Sequence, residues 1–322
     1  MKNAVQIKMI EHHELGMIRP LFKQVFGTDL SDPMLAWKYG QGRGKSYGSF
    51  APDGTLLAHC GILYRDVLAD GRHRRIAQLG DLMALPGRYG GLSRSKSPFA
   101  LLIQRVLDDL PDEHNPDALA FGFPSDRAMR LGEHLGLFAS IDRMYELTFV
   151  SAPVPRRPDR CTLLEPTDRR FKALADRLWR KMADGLGADL VGIRDARYLL
   201  QRYFQHPQHS YSCHLVTSRW FGSPLGLLIT RMQGDQCELL DIIAPPNGMH
   251  RLLLAARQHM PSWGAQAITL WLTEHHTAAL QSQASGATPL EFRIMANPHS
   301  SRGDYRRFAD RWWLTGGDTD YH

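Results

Sequence analysis

Apolar and polar positions along the chain predict strands and helices in alternation. An apolar run over residues 76–85 ends at Pro86, which cannot donate a hydrogen bond to a sheet, and the run predicts a strand. Ser97 and Pro98 predict the start of a helix, because serine accepts a hydrogen bond from the first turn and proline suits the first helical position. The apolar face of this helix is predicted to consist of Leu101, Leu102, Val106 and Leu110.

The same kind of alternation continues on both sides of this stretch and predicts an α/β fold. In the first half, strands are predicted at residues 5–9, 47–50, 56–68, 76–85, 118–123 and 144–150, with helices at 15–26, after Ser31, at 97–110 and up to 137. The second half repeats this order, with strands at 212–217, 225–232, 237–243, 268–273 and 290–295 and helices at 171–182, 194–204, 249–259 and 277–283. Each half is therefore predicted to be of the α/β class.

A proline-rich segment separates the two halves. Residues 151–160 contain three prolines and show no apolar periodicity, which is typical of an exposed linker. The predicted domains are therefore residues 1–150 and 161–322, joined by this linker.

Composition narrows the class of protein. The chain has 322 residues, of which 43% are hydrophobic and 22% charged, as in water-soluble globular proteins. It has no apolar run long enough for a membrane span and no apolar leader of the kind that directs secretion. Its four cysteines are widely separated and lack the spacing of zinc ligands. They are therefore predicted to be ordinary thiols, and the protein is predicted to act in the reducing cytoplasm.

The chain is basic, with a formal charge of +6. The basic residues are spread along the chain and accompany no recognisable nucleic-acid-reading motif, so a specific nucleic-acid partner is not expected. An anionic cofactor or substrate suits this charge equally well. The pairs His12–His13 and His275–His276 have no acidic partner at ligand spacing, and no metal site is predicted.

The loop between the strand at 76–85 and the helix at 97–110 carries the most specific chemistry. It places Arg88, Gly90, Gly91, Arg94 and Lys96 just before a helix N-terminus. Free backbone N–H groups and the positive end of the helix dipole make such a place suitable for a phosphate group. Neither of the common phosphate-loop patterns, GxGxxG or GxxxxGK[ST], is present.

The run Arg88-Tyr89-Gly90-Gly91-Leu92-Ser93, followed later by Leu135-Gly136-Leu137, resembles the GNAT family of Gcn5-related acyl-CoA transferases, in its bacterial tandem type. Residues 94–97 look like an insertion relative to that family. The resemblance implies that each half is a central mixed sheet flanked by helices. It also implies acetyl-CoA or another acyl-CoA as co-substrate. The residues that it implies for binding are Met83, Ala84, Leu85, Arg88, Tyr89, Gly90, Gly91, Leu92 and Ser93.

The resemblance also implies two candidate catalytic residues. Asp81 is a candidate general base or water anchor, and it could equally be a carboxylate that pins a neighbouring strand. The tyrosine that usually serves as general acid falls at Gly132 and is therefore missing. His134 lies close by and is the candidate substitute, although a surface histidine explains it as well.

The second half lacks the chemistry of the first loop. Its corresponding segment, residues 244–249, contains Pro245 and Pro246, which have no N–H to offer a phosphate. We therefore expect one acyl-CoA per chain, bound by the N-terminal half. Near the C-terminus, Trp312 and Trp313 are expected to form a strand with one ring packed inward, followed by an acidic end that lines a cleft or is solvated.

These observations together predict an acyl-CoA-dependent N-acyltransferase, with acetyl-CoA as the first choice of donor. The acceptor would be an amine of a small molecule or an amino sugar. The alternative is a non-catalytic tandem module that binds an acyl-CoA or a partner without transferring the acyl group.

Overall fold

The computed structural model of the protein describes residues 5–85, 97–110, 119–297 and 305–319. Contacts divide these residues into two compact units. Unit 1 contains the described residues within 1–65, 75–141 and 291–307, and unit 2 contains those within 66–74, 142–290 and 308–322. Each unit is thus assembled from separate stretches of the chain. The linear domains predicted on either side of residues 151–160 stay a prediction.

Unit 1 is built mainly from the first half of the sequence. Its strands are β1 (Gln6–Ile10), β2 (Gly44–Phe50), most of β3 (Leu56–Ala69), most of β4 (Arg72–Ala84) and β5 (Ala120–Gly122). Its helices are α1 (Arg19–Phe26), α2 (Asp32–Tyr39), α3 (Pro98–Asp108) and α4 (Asp126–His134), with a 3-10 helix at His12–Ile18. The predicted helix at residues 15–26 is therefore α-helical only from Arg19.

Unit 2 is built mainly from the second half of the sequence, together with most of β6. Its strands are β6 (Ala139–Val150), β7 (Arg160–Leu163), β8 (Leu190–Gly192), β9 (Ser212–Thr217), β10 (Pro224–Gln233), β11 (Gln236–Ile243), β12 (Ala267–Thr273) and β14 (Trp312–Trp313). Its helices are α5 (Phe171–Gly185), α6 (Ala196–Leu199), α7 (Pro246–His259) and α8 (Glu274–Gln281). A π-helical turn at Leu200–Phe204 continues α6, and 3-10 helices lie at Met260–Trp263 and Gly316–Asp318.

The two units repeat one strand order. Within unit 1 the strand order is β1-β2-β3-β4-β5-β13, where β13 is Gly286–Ala296, and β4 and β5 are parallel. Within unit 2 the order is β7-β9-β10-β11-β12-β6, and β11 and β12 are parallel. A helix connects the parallel pair in each case, α3 in unit 1 and α7 in unit 2. The predicted α/β class with mixed sheets and flanking helices is confirmed.

The last strand in the order of each unit comes from the opposite half of the sequence. β6 follows α4 along the chain, yet it pairs antiparallel with β12 from Met144 to Val150. β13 follows α8, yet its Met295 and Ala296 pair antiparallel with β5. This reciprocal exchange is one reason why neither unit is a continuous segment; the assignment of residues 66–74 to unit 2 is another.

The apolar face of α3 packs on the sheet of unit 1. Leu102, Ile103 and Val106 are fully buried in one cluster with Ala58 of β3 and Leu79 of β4. The helix begins as predicted, because the Ala100 N–H donates to the Ser97 hydroxyl at 3.2 Å. The prediction for Leu101 was wrong: its side chain is 39% exposed, since it lies one residue off the buried stripe.

Along the described parts of the chain, no helix is both long and apolar enough to span a membrane.

Candidate functional site

Strands β4 and β5 run together for only a short distance. Their parallel pairing extends from Ala77 with Ala120 to Leu79 with Gly122. A side chain at position 122 would place its Cβ only 2.8 Å from the Leu79 carbonyl oxygen, so glycine allows this close approach. β4 continues to Ala84, whereas the chain leaves β5 after Gly122 and enters α4. Among the described strands, none takes the place of β5 beside residues 80–84 of β4.

Asp81 lies in β4 at the point where the two strands separate. Its φ angle is +48°, a left-handed conformation that aspartate tolerates better than most residues. The carboxylate is buried and accepts hydrogen bonds from Lys38 Nζ and the Tyr39 hydroxyl, both at 2.6 Å. Two neighbouring residues at the end of α2 therefore hold the β4 backbone through one side chain.

These contacts determine the charge of Asp81. Burial by itself raises the pKa of this carboxyl group, but the Lys38 ammonium and the Tyr39 hydroxyl outweigh burial and hold the pKa below its usual value. Asp81 is thus ionised at neutral pH, and its lone pairs are directed to Lys38 and Tyr39. A carboxylate stabilised in this way is a weak proton acceptor.

His59 contacts the backbone of Asp81, whereas Lys38 and Tyr39 contact its side chain. It is fully buried on β3, with Nδ1 2.8 Å from the Asp81 carbonyl oxygen and Nε2 2.8 Å from the Ser46 hydroxyl on β2. Burial lowers the pKa of His59, which favours the neutral ring. Because a carbonyl can only accept, we assign the ring proton to Nδ1, and the Ser46 hydroxyl then donates to Nε2. Four elements, α2, β2, β3 and β4, thus converge on Asp81.

The residues predicted to bind acyl-CoA fall into two groups, one at the end of β4 and one in the loop that follows it. Met83 is buried, Ala84 is exposed and Leu85 is half-buried at the end of β4. The Leu85 N–H donates to the Leu57 carbonyl at 2.7 Å and is therefore not available to a ligand. The loop residues Arg88, Tyr89, Gly90, Gly91, Leu92 and Ser93 lie outside the described residues.

The second predicted catalytic residue lies on a different element. His134 is exposed at the last position of α4, whereas Asp81 is buried in β4. Gly132, which stands where a tyrosine was expected, is buried against Phe138. A Cβ at this position would lie 2.0 Å from the Phe138 ring, so no larger side chain fits unless the ring moves. The absence of the tyrosine is therefore explained by packing.

A second strand separation occurs in unit 2, between β11 and β12. Their parallel pairing ends at Leu239 with Leu270, and Asp241 follows two residues later, as Asp81 follows Leu79 in β4. Here the C-terminal segment of the chain, residues 314–319, lies against the separated strands. Thr315 forms a bridge with Leu272, and the Thr273 N–H donates to the Leu314 carbonyl at 3.2 Å.

A buried ion cluster holds this segment in place. Arg194 is fully buried; its Nε lies 2.8 Å from Asp241 Oδ1, and its Nη2 donates to Asp318. Burial lowers the pKa of Arg194, but the two carboxylates outweigh burial and hold it well above the usual value. Asp318 also accepts from the Thr315 N–H at 2.9 Å. The acidic C-terminal end was expected to line a cleft or to be solvated; at Asp318 it is instead buried and paired.

The two tryptophans before this segment also differ from expectation. Trp312 is fully buried and Trp313 is 3% exposed, so both rings are buried, whereas only one was expected to be. β14 pairs with β8, and the Trp312 carbonyl accepts a hydrogen bond from the Thr273 hydroxyl. The strand therefore anchors the segment that follows it.

Tyrosine and aspartate recur at matching positions in the two units. Tyr39 lies eight residues after Ser31, whose hydroxyl caps α2, and Tyr203 lies eight residues after Asp195, which caps α6. The Tyr203 hydroxyl donates to Asp241 at 3.0 Å, as Tyr39 donates to Asp81. The sequence signal that could have revealed this repeat is the likeness of QLGDLMALP at residues 78–86 to ELLDIIAPP at 238–246.

The described residues contain no group of three or more histidine, cysteine, aspartate or glutamate side chains placed to hold a metal ion. All four cysteines are free thiols, and three of them, Cys60, Cys213 and Cys237, are buried.

Comparisons with known proteins show which solved structures have a similar fold. No family model matches the chain, and no curated protein matches it either. Among solved structures, it is similar to a probable N-acyltransferase from Enterococcus faecalis V583, with a TM-score of 0.68 at 16% identity over 91% of this chain and 72% of that one. A GCN5-related N-acetyltransferase from Kribbella flavida gives a TM-score of 0.64 at 13% identity, over 91% and 71% of the two chains.

A third solved structure is the N-myristoyltransferase of Saccharomyces cerevisiae with bound myristoyl-CoA. It gives a TM-score of 0.52 at 9% identity, over 92% of this chain and 83% of that one. At these identities the likeness concerns the fold, and the protein has the fold of GCN5-related N-acetyltransferases.

Proposed function

We propose that the protein is an acyl-CoA-dependent N-acyltransferase whose acyl-CoA site lies in unit 1. The observation that carries the proposal is the separation of β4 from β5 after Leu79 and Gly122, directly before the basic Gly-rich loop and the N-terminus of α3. The edge of β4 at residues 80–84 offers backbone groups with which the amide groups of an extended CoA arm could pair.

The loop and α3 suit the phosphate end of the same ligand. α3 is an eleven-residue helix without an acidic residue in its first turn, so the positive end of its dipole is not neutralised by its own side chains. Arg88 adds a cation, and Gly90 and Gly91 allow the backbone to approach closely. These features fit a pyrophosphate, with acetyl-CoA as the first donor to test.

In the reaction, the nitrogen of a neutral amine attacks the thioester carbonyl and the carbon–sulfur bond breaks. The nitrogen loses one proton as the amide forms, and that proton neutralises the leaving thiolate of CoA. We propose that Asp81 acts as a positioning residue in this step and not as the base. Its contacts to Lys38 and Tyr39 fix the bend in β4, and with it the direction of the backbone N–H groups that follow, one of which would polarise the thioester carbonyl. A role for His134 as general acid stays a prediction.

We further propose that unit 2 is a second copy of the same fold that binds no acyl-CoA, which makes the protein a tandem type. Residues 314–319 lie against the separated strands β11 and β12, and Pro245 and Pro246 begin α7 without N–H groups. The acceptor would be an amine of a small molecule or an amino sugar. The free thiols support action in the cytoplasm.

Calorimetric titration with acetyl-CoA tests the binding half of the proposal. Arg88→Ala should weaken acetyl-CoA binding by at least about tenfold, because it removes a cation from the pyrophosphate. Arg169→Ala, which removes an exposed arginine in unit 2, is the matched control and should leave the affinity unchanged. No binding of acetyl-CoA at high micromolar concentration would remove the proposal.

Two observations favour a second candidate function, a module that binds acyl-CoA without transferring it. The low pKa of Asp81 makes this carboxylate a weak base, and Gly132 cannot carry the tyrosine expected as acid unless the Phe138 ring moves. Release of free thiol from acetyl-CoA, followed with a panel of amines and amino sugars, separates the two. Binding with no turnover on any acceptor would favour the module.

A further inference from the structure

The loop between β9 and β10 in unit 2 carries two adjacent aromatic side chains that project into solvent. Trp220 is 60% exposed and Phe221 is 89% exposed. The loop itself is ordered by backbone hydrogen bonds: the Ser218 N–H donates to the Ser223 carbonyl and the Gly222 N–H to the Ser218 carbonyl, both at 2.9 Å. Gly222 has a φ of +63°, which closes the turn. Both rings are thus held outward on a defined turn.

Arginines surround the aromatic pair. The guanidinium carbons of Arg157 and Arg219 lie 5.4 and 5.5 Å from the centre of the Trp220 ring. Arg160 pairs with Thr217 at the base of the loop, and Arg156 precedes Arg157; all four arginines are exposed.

The acidic residue Asp159, which lies next to Arg160 and accepts from the Arg219 N–H, is already paired. Asp159 accepts from Arg251 Nε at 2.6 Å and Nη2 at 2.8 Å, and from the Arg219 N–H at 2.9 Å. The hydrogen bonds from Arg251 hold the pKa of Asp159 below its usual value, so it stays ionised and bound. The surface around the rings is therefore positively charged. We define the aromatic tip as Arg157, Arg219, Trp220 and Phe221.

The shape and charge of the aromatic tip identify its partner. A stable protein interface buries about 800 Å² on each partner, and two rings on a projecting turn offer far less. Insertion into the boundary between lipid headgroups and acyl chains needs only such a small apolar projection. Tryptophan favours that boundary because its ring is apolar while its N–H can remain hydrated, and arginines beside it attract anionic headgroups.

We propose that the aromatic tip binds the surface of anionic lipid bilayers, so that the protein associates peripherally with membranes through the β9–β10 loop. Trp220 and Phe221 enter the headgroup region, and Arg157 and Arg219 contact lipid phosphates. This inference is independent of the proposed acyltransferase activity.

Co-sedimentation of the full chain with lipid vesicles tests the inference. We expect binding to vesicles of phosphatidylglycerol and phosphatidylcholine, little binding to phosphatidylcholine alone, and weaker binding as salt is raised. The double variant Trp220→Ala/Phe221→Ala should lower the partition coefficient by at least about tenfold, and Arg157→Gln/Arg219→Gln by a similar factor on anionic vesicles.

Two variants are matched controls. Phe26→Ala removes a half-exposed ring on α1, and Arg177→Gln/Arg180→Gln removes two exposed charges on α5. Both should leave vesicle binding unchanged. The inference is overturned if the protein does not bind anionic vesicles at low salt, or if the tip variants bind as well as the controls. Self-association that Trp220→Ala/Phe221→Ala abolishes, without vesicle binding, would identify a protein contact instead.

Discussion

The separated strands β4 and β5 of unit 1 and β11 and β12 of unit 2 share one framework and differ in what lies against it. Each framework has an aspartate two residues after the last paired position and a tyrosine hydroxyl bound to it. In unit 2 the chain's own residues 314–319 lie against the strands, held by Arg194. In unit 1 the carboxylate of Asp81 accepts its hydrogen bonds from Lys38 and Tyr39, which both lie at the end of α2. The same backbone geometry thus serves chain packing in unit 2, and we propose that it serves a ligand in unit 1.

The chemistry of the two ion pairs follows this difference. Arg194 is completely buried and pairs with both Asp241 and Asp318, so the two buried carboxyl groups share one guanidinium. Burial raises the pKa of Asp241, which eases the placement of two acidic groups beside one cation. Lys38 faces a single carboxylate, and its side chain is 10% exposed. We therefore expect the unit 2 cluster to matter for stability and the unit 1 pair to matter for the reaction.

The largest expected effect is on stability. Arg194→Met leaves Asp241 and Asp318 buried without a cation, which should lower the free energy of unfolding by about 3–5 kcal/mol. Lys38→Met leaves one carboxylate, that of Asp81, without its cation, although Tyr39 still binds it. This variant should lower the free energy of unfolding by about 1–3 kcal/mol. Denaturant unfolding measures both losses of stability, and hydrogen exchange shows which strands are destabilised in each variant. Equal costs, or faster exchange in β4 than in β11 for Arg194→Met, would break the comparison.

A second effect is expected on turnover. Asp81→Asn keeps the size of the side chain and tolerates the positive φ, but it loses the attraction to Lys38 and loosens the bend in β4. We expect kcat to fall by about 10- to 100-fold, with little change in the affinity for acetyl-CoA.

The pH profile separates positioning from base catalysis. Because the pKa of Asp81 is already low, the activity of Asp81→Asn should keep the pH dependence of the unchanged enzyme near neutrality. Asp241→Asn is the matched control in unit 2 and should leave kcat unchanged at temperatures where it is folded. Loss of a titrating limb in Asp81→Asn alone would make Asp81 the base after all.

The smallest effect concerns the dependence of stability on pH. Burial, with a smaller contribution from His259, lowers the pKa of His214 in unit 2 to about 4, against 6.5 in an unfolded chain. The unfolded state then binds a proton that the folded state does not, so the stability present above pH 6.5 is lost as the pH falls towards 4. His59 contributes in the same direction from unit 1.

Unfolding measured between pH 4 and 7 checks this expectation. His214→Gln removes one titrating group and should reduce the slope of the unfolding free energy, by at most about 1.4 kcal/mol per pH unit. His250→Gln, at an exposed position on α7, should leave the slope unchanged. A slope that His214→Gln does not alter would contradict the burial of a neutral ring.

Much of the local structure could be predicted from the sequence. The strand at residues 212–217 has the predicted bounds, and the Ser31 and Ser97 caps are present, because periodicity and capping are local properties. Leu101 was misplaced because several leucines in one helix allow more than one apolar stripe. The exchange of β6 and β13 could not be predicted, since strand pairing depends on contacts far apart in sequence.

The candidate site could be predicted only in part. Asp81 was singled out, and one of its two predicted roles was a strand-pinning carboxylate, but its partners Lys38, Tyr39 and His59 were not identified. They come from two other elements, α2 and β3, and nothing in a single sequence states which elements meet. Asp318 was misjudged for a related reason: an acidic terminal stretch usually stays in water, unless a buried arginine such as Arg194 compensates its charge.

The measurement that tests the account most directly is the stoichiometry of acetyl-CoA binding together with its location. Calorimetry should give one site per chain, and hydrogen exchange should show protection in β4 and at the start of α3. β11 and the start of α7 should show none, because residues 314–319 lie against that pair of strands. Two equivalent sites per chain, or a single site mapped between Ala244 and Arg251, would contradict the assignment of ligand binding to unit 1.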